Sequence, residues 1–533
     1  MELIKKQIHM ENEKASATMQ TSIEEDINLA ETKPDIEKIL FSKGQIRLEE
    51  IKVGTGHVNL QGKLRYELLY RTEDGGSRLQ SLEGNIPFHE DVHMQDVENG
   101  DHVTANGELE DLSVSMINSR KLNLRALITF HLLSDNRKEE DICVDLQEAE
   151  EIEYRKKTKE FLELLLHKKD VFRIREEIEV SKTMPDIEEI LWKDVQLKDF
   201  HVKAQDKKLL LQGDILLSFI YQSAQKAEEQ EIAYSWFEKE IPLNGTLDCQ
   251  ESEDHVLPDV DVNLSLDEIE IRNDIDQEAR MVGIEATLGM DIRLYQKQSM
   301  DMVSDLYGVS EEVVCCNEQT ALRRLVLQED INIKMNEILK TNEGEGNILQ
   351  ISHKEASIYP DEIQIEMGEV SGEMILSGVL QVRVLYEIMK DGEETPKANY
   401  AAAIGNFKYQ TKVTIPEDTA CDVQSLQVHA LTMLQELSVT IEDHQTFAIN
   451  AVIGVKILGY CMKEEQMILD MKLYPIDQDK LSKIPGMAIY YVQDGDTLWQ
   501  IGKRYYVTTD RIKKINGLTT DLIQPGDKLI IVK

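Results

Sequence analysis

The feature that most constrains this chain is that it repeats itself. Three segments open alike: EDINLAETKPDIEKIL from Glu25, EEIEVSKTMPDIEEIL from Glu176, and a shorter EDINIKMNEIL from Glu329. Their leading isoleucines, Ile27, Ile178 and Ile331, are spaced by 151 and 153 residues. Thirty-five residues after the first two comes a strand with a fixed Gly-to-Tyr interval, GKLRYELLY (Gly62–Tyr70) and GDILLSFIY (Gly213–Tyr221). The third copy, GVLQVRVLY (Gly378–Tyr386), arrives 47 residues after Ile331, which assigns it an insertion. A later element recurs as LSVSMINSRKLNLRALITFHL from Leu112 and LSVTIEDHQTFAINAVIGVKI from Leu437, with a looser middle copy from Asp267 and Arg280. Apolar runs flanking a polar tip read as β-hairpins, and Leu112, Val114 and Met116 alternate as a half-buried strand requires. A chain with this period folds as a tandem array of like units.

The fold class expected is multidomain and mainly β: three tandem β-rich repeat domains followed by a small βααβ domain. The boundaries read as a charged lead segment over 1–15, β domains over 16–166, 167–320 and 321–474, a linker over 475–487 and a last domain over 488–533. Mixed charge around an apolar face in 148–170 predicts a helical joint between the first two copies, and FLELLL (161–166) suits a buried helix or a partner interface. Two prolines and a glycine in PIDQDKLSKIPG mark the linker.

Residues 490–518 read YYVQDGDTLWQIGKRYYVTTDRIKKINGL. Tyr490–Val492 predicts a short strand, Asp494-Gly495 a turn, and Asp496 the N-cap of a helix. Leu498, Ile501 and Tyr505 recur at helical spacing, and Thr508 or Thr509 caps a second helix with Ile512 and Ile515 as its buried stripe. Asn516-Gly517 suits a left-handed helix ending, and Lys528–Val532 closes the domain as a strand.

Charge narrows the function. The net charge is −41; residues 489–533 carry seven Lys/Arg against five Asp/Glu, leaving −43 to the preceding 488. A phosphate backbone demands a positive face, so nucleic acid is not an expected partner of the body. No stretch is apolar for about 18 residues, so no membrane span is expected. The start, MELIKKQIHMENEKASATMQ, is broken by charge where an export signal needs an apolar core of about 7 to 15 residues. Six cysteines are too sparse for a disulfide scaffold. Cys143, Cys249, Cys421 and Cys461 read as small buried hydrophobes, and the adjacent Cys315 and Cys316 are poorly placed to bond each other, all of which suits a reducing compartment.

One stretch mimics an active site. His89-Glu90-Asp91-Val92-His93 is formally H-E-x-x-H, a zinc-protease pattern that needs a helix. Aligning Ile86-Pro87 with Ile241-Pro242 sets His89, Glu90 and His93 opposite Asn244, Gly245 and Asp248, so the second copy keeps the element without the chemistry. A surface loop or strand is expected there, with no metal, no cofactor and no catalytic residue anywhere. Asp35 and Asp186, which follow proline in the repeat, read as turn or cap residues.

The PDI-x-x-IL opening, the Gly-to-Tyr strand and the LSV hairpin resemble SPOCS domains of endospore-forming bacteria. GDTLW, NGL and I-x-PG resemble a LysM domain, and three SPOCS-type domains followed by LysM are similar to the SipL-like family of spore-coat morphogenetic proteins. The resemblance implies a non-enzymatic scaffold in spore coat and cortex assembly, cytoplasmic in the mother cell and placed at the forespore surface. Its LysM domain would dock on the coat's basement-layer ATPase, of the stage IV sporulation protein A type, among other coat morphogenetic proteins. A possible docking face is Lys503, Arg504, Arg511, Lys513 and Lys514. The alternative implied by the LysM fold is binding of peptidoglycan, as N-acetylglucosamine polymers, in the cell wall or spore cortex. Its groove would run between Gly495, Asp496, Thr497 and Leu498 on one side and Leu518, Thr519, Thr520, Asp521, Leu522 and Ile523 on the other.

Overall fold

A computed structural model describes residues 2–73, 78–147, 151–224, 233–341, 346–361, 363–367, 372–389, 399–416, 425–477, 482 and 484–533. Each repeat contributes two antiparallel sheets packed face to face, all three-stranded except the second sheet of the third repeat, which has four strands. In the first, β1 (Glu2–Asn28), β6 (Lys121–Gln147) and β5 (Val103–Asn118) form one sheet in that order. The second sheet is β2 (Ile36–Gly54), β3 (His57–Thr72) and β4 (Leu79–His93). The second repeat builds the same pair from β7 (Ile152–Glu179), β12 (Met281–Gly308) and β11 (Val256–Arg272), with β8 (Ile187–Gln205), β9 (Lys208–Ser223) and β10 (Tyr234–Asp248). The third uses β13 (Glu311–Lys340), β19 (Thr446–Pro475) and β18 (Leu426–Asp443), with β14 (Asn347–Pro360), β16 (Gly372–Met389), β17 (Asn399–Ile415) and a short β15 (Gln364–Met367). The expected helical joint is wrong: its described residues 152–170 are β7, because Phe161, Leu162 and Leu164 are buried between strands rather than along one helix face.

The repeated sequence motifs have physical causes. Gly62, Gly213 and Gly378 sit where the neighbouring strand presses in: a Cβ there would lie 2.5, 2.9 and 2.5 Å from the carbonyls of Arg47, Lys198 and Tyr359. Tyr70 and Tyr221, eight residues on, donate to the carbonyls of Pro34 and Pro185, tying each strand to the Pro-Asp-Ile turn. Asp35 accepts from Ser119 and Arg120, and Asp186 pairs with Arg280, so these aspartates anchor the turn to a hairpin tip. Arg280 also reaches the carbonyls of Ser181 and Met184.

Strand register corrects the third copy. Ile27 opposes Leu122 and Ile178 opposes Val282, but the residue opposing the matching Phe447 is Leu339, not Ile331. The counterpart thus lies eight residues later, which brings Leu339 to 39 residues before Gly378 and shrinks the insertion accordingly. β-Bulges confirm this register, with Lys14, Leu165 and Val326 as the extra residues at equivalent places in β1, β7 and β13. A bulge sharpens twist and bends a strand. Beyond these bulges each long strand pair leaves its sandwich as a two-stranded ribbon, and residues 2–15, the charged lead segment, belong to the first of them.

The three ribbons pack into a stalk whose core stacks equivalent residues: Met10, Phe161 and Leu322, then Ile142, Met302 and Met467. The sandwiches meet around the same pseudo-threefold arrangement. Phe41, Trp192 and their neighbours join Leu69, Ile220 and Leu385, each the residue before the repeated tyrosine, in one apolar cluster. Polar layers break the symmetry. Lys43, Asp194 and Glu355 occupy equivalent positions, as do Glu11, Leu162 and Arg323, and in both layers opposite charges meet. Glu355 is buried and bonded to Trp192 and Arg383, yet its carboxyl is held far below the usual carboxylate range, because the bond from His353 and the charges of Arg383, His353 and Lys43 outweigh burial. Three identical units would stack like charges here, whereas diverged repeats in one chain pair them.

Of the cysteines, Cys143 and Cys249 are buried free thiols as expected, Cys315 is half-buried and Cys316 exposed. Cys461 is buried, as expected of a small hydrophobe, but disulfide-bonded, which corrects the expectation that the thiols are reduced; Cys421 lies outside the described residues.

Candidate functional site

Residues 487–532 form β20 (Met487–Tyr491), helix α1 (Leu498–Tyr505), helix α2 (Thr509–Asn516) and β21 (Lys528–Val532), the βααβ order expected. Val492, Leu498, Ile501, Ile512, Leu529 and Ile531 make the core, and Tyr505 packs against it. Three local readings change. The cap of α1 is Thr497, in a reciprocal capping box with Gln500, and not Asp496. Asp496 instead accepts from the Tyr490 hydroxyl at 2.6 Å and the Gln493 amide, which holds its carboxyl below the usual range and closes the turn. Ile515 is 38% exposed, because an eight-residue helix on a two-stranded sheet buries only one narrow stripe, here Ile512. Thr508 caps α2 and Gly517 ends it in the left-handed region at φ 63°. Asn516 then bonds both backbone groups of Ile530, pinning α2 to β21.

The predicted groove residues sit on two loops of this domain. Gly495, Thr497, Thr519, Thr520, Asp521 and Leu522 are exposed, Asp496, Leu518 and Ile523 are half-buried, and Leu498 is a core residue. The predicted basic face is largely engaged within the molecule. Lys513 pairs with Asp510 and Asp521, Arg504 donates to Tyr490, and Arg511 donates to the carbonyl of Lys533. Lys503 pairs with Asp305 at 2.7 Å, and Lys514 is exposed.

Asp305 belongs to a seat that sequence reasoning missed. Trp499, 6% exposed, takes no part in the small domain's own core; it is covered by the ends of β7 and β12. Its indole N–H donates to Asp305 at 2.7 Å, the Tyr307 ring meets it edge-on with centroids 4.8 Å apart, and the Arg155 guanidinium lies 4.5 Å from its ring centroid. Tyr307 donates to the carbonyl of Val507 at 2.9 Å, and Thr509 to Glu153. Burial pushes the Asp305 carboxyl up, but Lys503 and Trp499 outweigh it and hold it below its ordinary value. The seat covers one side of α1 and leaves the groove loops open. A tryptophan outside its own domain's core was the available signal.

Elsewhere, His89–His93 lie on the edge strand β4. Four residues of strand span about 13 Å, so the two imidazoles cannot share an ion. His89 bonds Asn59 and Glu90 accepts from Thr21, and among the described residues no cluster suits a metal. No helix among them is long and apolar enough to cross a membrane.

Comparison with known proteins matches the model of the SipL, SPOCS domain to residues 35–117 and 186–273, and that of the LysM domain to residues 490–532. Searches of curated proteins and of solved structures found no match. The two SPOCS matches cover the inner sheet and first hairpin strand of the first two sandwiches; the third sandwich shares their strand order and bulges. These are binding domains, and the chain is SipL-like in domain content, with SPOCS domains in its first two sandwiches and a LysM domain at 490–532.

Proposed function

We propose that this protein is a non-enzymatic scaffold in endospore coat and cortex assembly that uses its LysM domain as a docking head. The partner the family resemblance suggests is the coat's basement-layer ATPase at the forespore surface, with the acidic body serving other coat morphogenetic proteins from the mother-cell side. The observation that carries the reading is the seat: Trp499, Lys503 and Val507 fasten the LysM domain to the end of the stalk while its loops and outer sheet face stay open. A head held in this way presents one defined surface at a fixed distance from the body. The test is a fluorescent fusion lacking residues 484–533 in sporulating cells. Loss of forespore localisation with a folded body supports docking through LysM, and unchanged localisation refutes it.

The exposed loop residues Gly495, Thr497 and Thr519–Leu522 support a second reading, binding of N-acetylglucosamine polymers, since short polar groups and backbone amides suit acetamido and hydroxyl groups. Sedimentation of the full chain with purified peptidoglycan, lost on Thr520→Trp, supports that reading; a chain left in the supernatant argues against it.

A further inference from the structure

The outer face of the LysM sheet is apolar. Met487, Ile489 and Tyr491 are 64, 65 and 56% exposed, and Ile530 stands directly across from Ile489 on the same face. The inner face, with Tyr490, Leu529 and Ile531, is spent on the core. Backbone direction sharpens the picture. Lys533 donates to the carbonyl of Gly486 and Val492 to that of Asp527, so the even-numbered residues of β20 bond to β21. The N–H and C=O groups of Met487, Ile489 and Tyr491 therefore point to the other edge of β20, where no hydrogen bond reaches them among the described residues. The opposite edge, at Ile530, is closed by the Asn516 side chain, which occupies both the amide and the carbonyl. Open apolar edges invite strand addition, and folded proteins usually block them. Among the described residues, one edge of the sheet is blocked and the other is left open.

We infer that the open edge of β20 accepts an extended segment of an acidic partner protein as a third strand, with alternate apolar side chains of that segment covering Met487, Ile489 and Tyr491. Main-chain bonds would supply affinity and the apolar face its register. Lys528, whose ammonium lies 5.4 Å from the Tyr491 ring centroid, borders the face. This cation favours carboxylates in the added segment, whereas β20 of a second copy, Met487–Tyr491, carries no carboxylate to meet it. The inference rests on the docking reading above and names the surface and partner chemistry for it. It assigns docking to neither the glycan loops nor the basic helix face.

The experiment places a photo-crosslinking amino acid at Ile489 in the full chain within sporulating cells and maps the attached stretch by mass spectrometry. The expected adduct is one alternately apolar, carboxylate-bearing stretch of another protein. A synthetic copy of that stretch should bind the purified full chain, and binding should fall at least tenfold when alternate amides of the peptide are N-methylated. The variant Ile489→Pro, which removes an outward N–H and no bond to β21, should weaken binding equally while Trp499 fluorescence stays native. An adduct from a helix, indifference to N-methylation, an adduct to a second copy of this chain, or no adduct each overturns the inference. If deletion of 484–533 abolishes localisation but Ile489→Pro does not, the docking reading stands and this inference falls; if the deletion has no effect, the docking reading itself has failed.

Discussion

Replacing Trp499 with alanine should release the LysM domain from the stalk without unfolding it. The indole is 6% exposed and lies outside the domain's own core, so its burial belongs to the seat. A tryptophan covers roughly 150–250 Å² of surface, and Trp→Ala at a buried site costs about 3–5 kcal/mol. The bond to Asp305 and the Arg155 guanidinium over the ring add to the loss. A change of that size lowers the docked-to-released ratio by about two to four orders of magnitude. Small-angle scattering should then show a larger radius of gyration, and limited proteolysis should cut between residues 475 and 487. The thermal transition of the body should be unmoved. Tyr307→Phe, which strips the bond to the Val507 carbonyl, should act in the same direction by about 1 kcal/mol. An unchanged scattering profile for Trp499→Ala would refute the seat, and so would loss of the LysM fold itself, since that would place the indole in the domain's core.

Other expectations follow from single contacts. His429 on β18 bridges Asp259 and Asp261 on β11, joining the second and third sandwiches. Burial opposes its charge, but the two carboxylates prevail and raise its pKa from 6.5 to about 10. This staple is therefore at full strength below pH 6.5 and fades as pH rises through about 10, a difference of up to about 5 kcal/mol that His429→Gln should abolish in denaturant titrations across that range. Gly62→Ala should destabilise the first sandwich by about 1–3 kcal/mol through the Arg47 carbonyl, whereas Gly289→Ala, whose nearest neighbour is 3.7 Å away, should be tolerated; thermal midpoints compare the two. Arg280→Ala should cost about 2–3 kcal/mol, because it frees Asp186 and two carbonyls at once, and chemical denaturation reads it directly. Metal analysis of the purified chain should find no stoichiometric zinc, and His89→Ala with His93→Ala should leave stability unchanged within about 0.5 kcal/mol.

Some of this protein can be read from its residues alone. Repetition of the Gly-to-Tyr strand and the LSV hairpin requires three like units, and alternation within them makes those units β. Glycine at Gly62, Gly213 and Gly378 and tyrosine at Tyr70 and Tyr221 recur because backbone contacts of the unit demand them, and such short-range demands leave a mark on sequence. The LysM order is legible for the same reason, since caps, helix stripes and Gly517 are local.

What escaped was set by distant partners. Residues 152–170 have a charge pattern that fits a helix, yet pairing with β12 and burial in the stalk make them strand, tertiary contacts overriding a local preference. In the third copy EDIN at Glu329 resembles the first copy only locally, eight residues ahead of the true counterpart, because register is decided across the sheet by Phe447 and Leu339. The basic residues of the LysM helices read as a free face, but Lys503 and Lys513 are paired, and only packing decides which charges remain open. The seat around Trp499 joins residues nearly two hundred positions apart, at Asp305 and Tyr307. No local pattern records such a meeting; it exists because three ribbons of one chain converge and end at the same place.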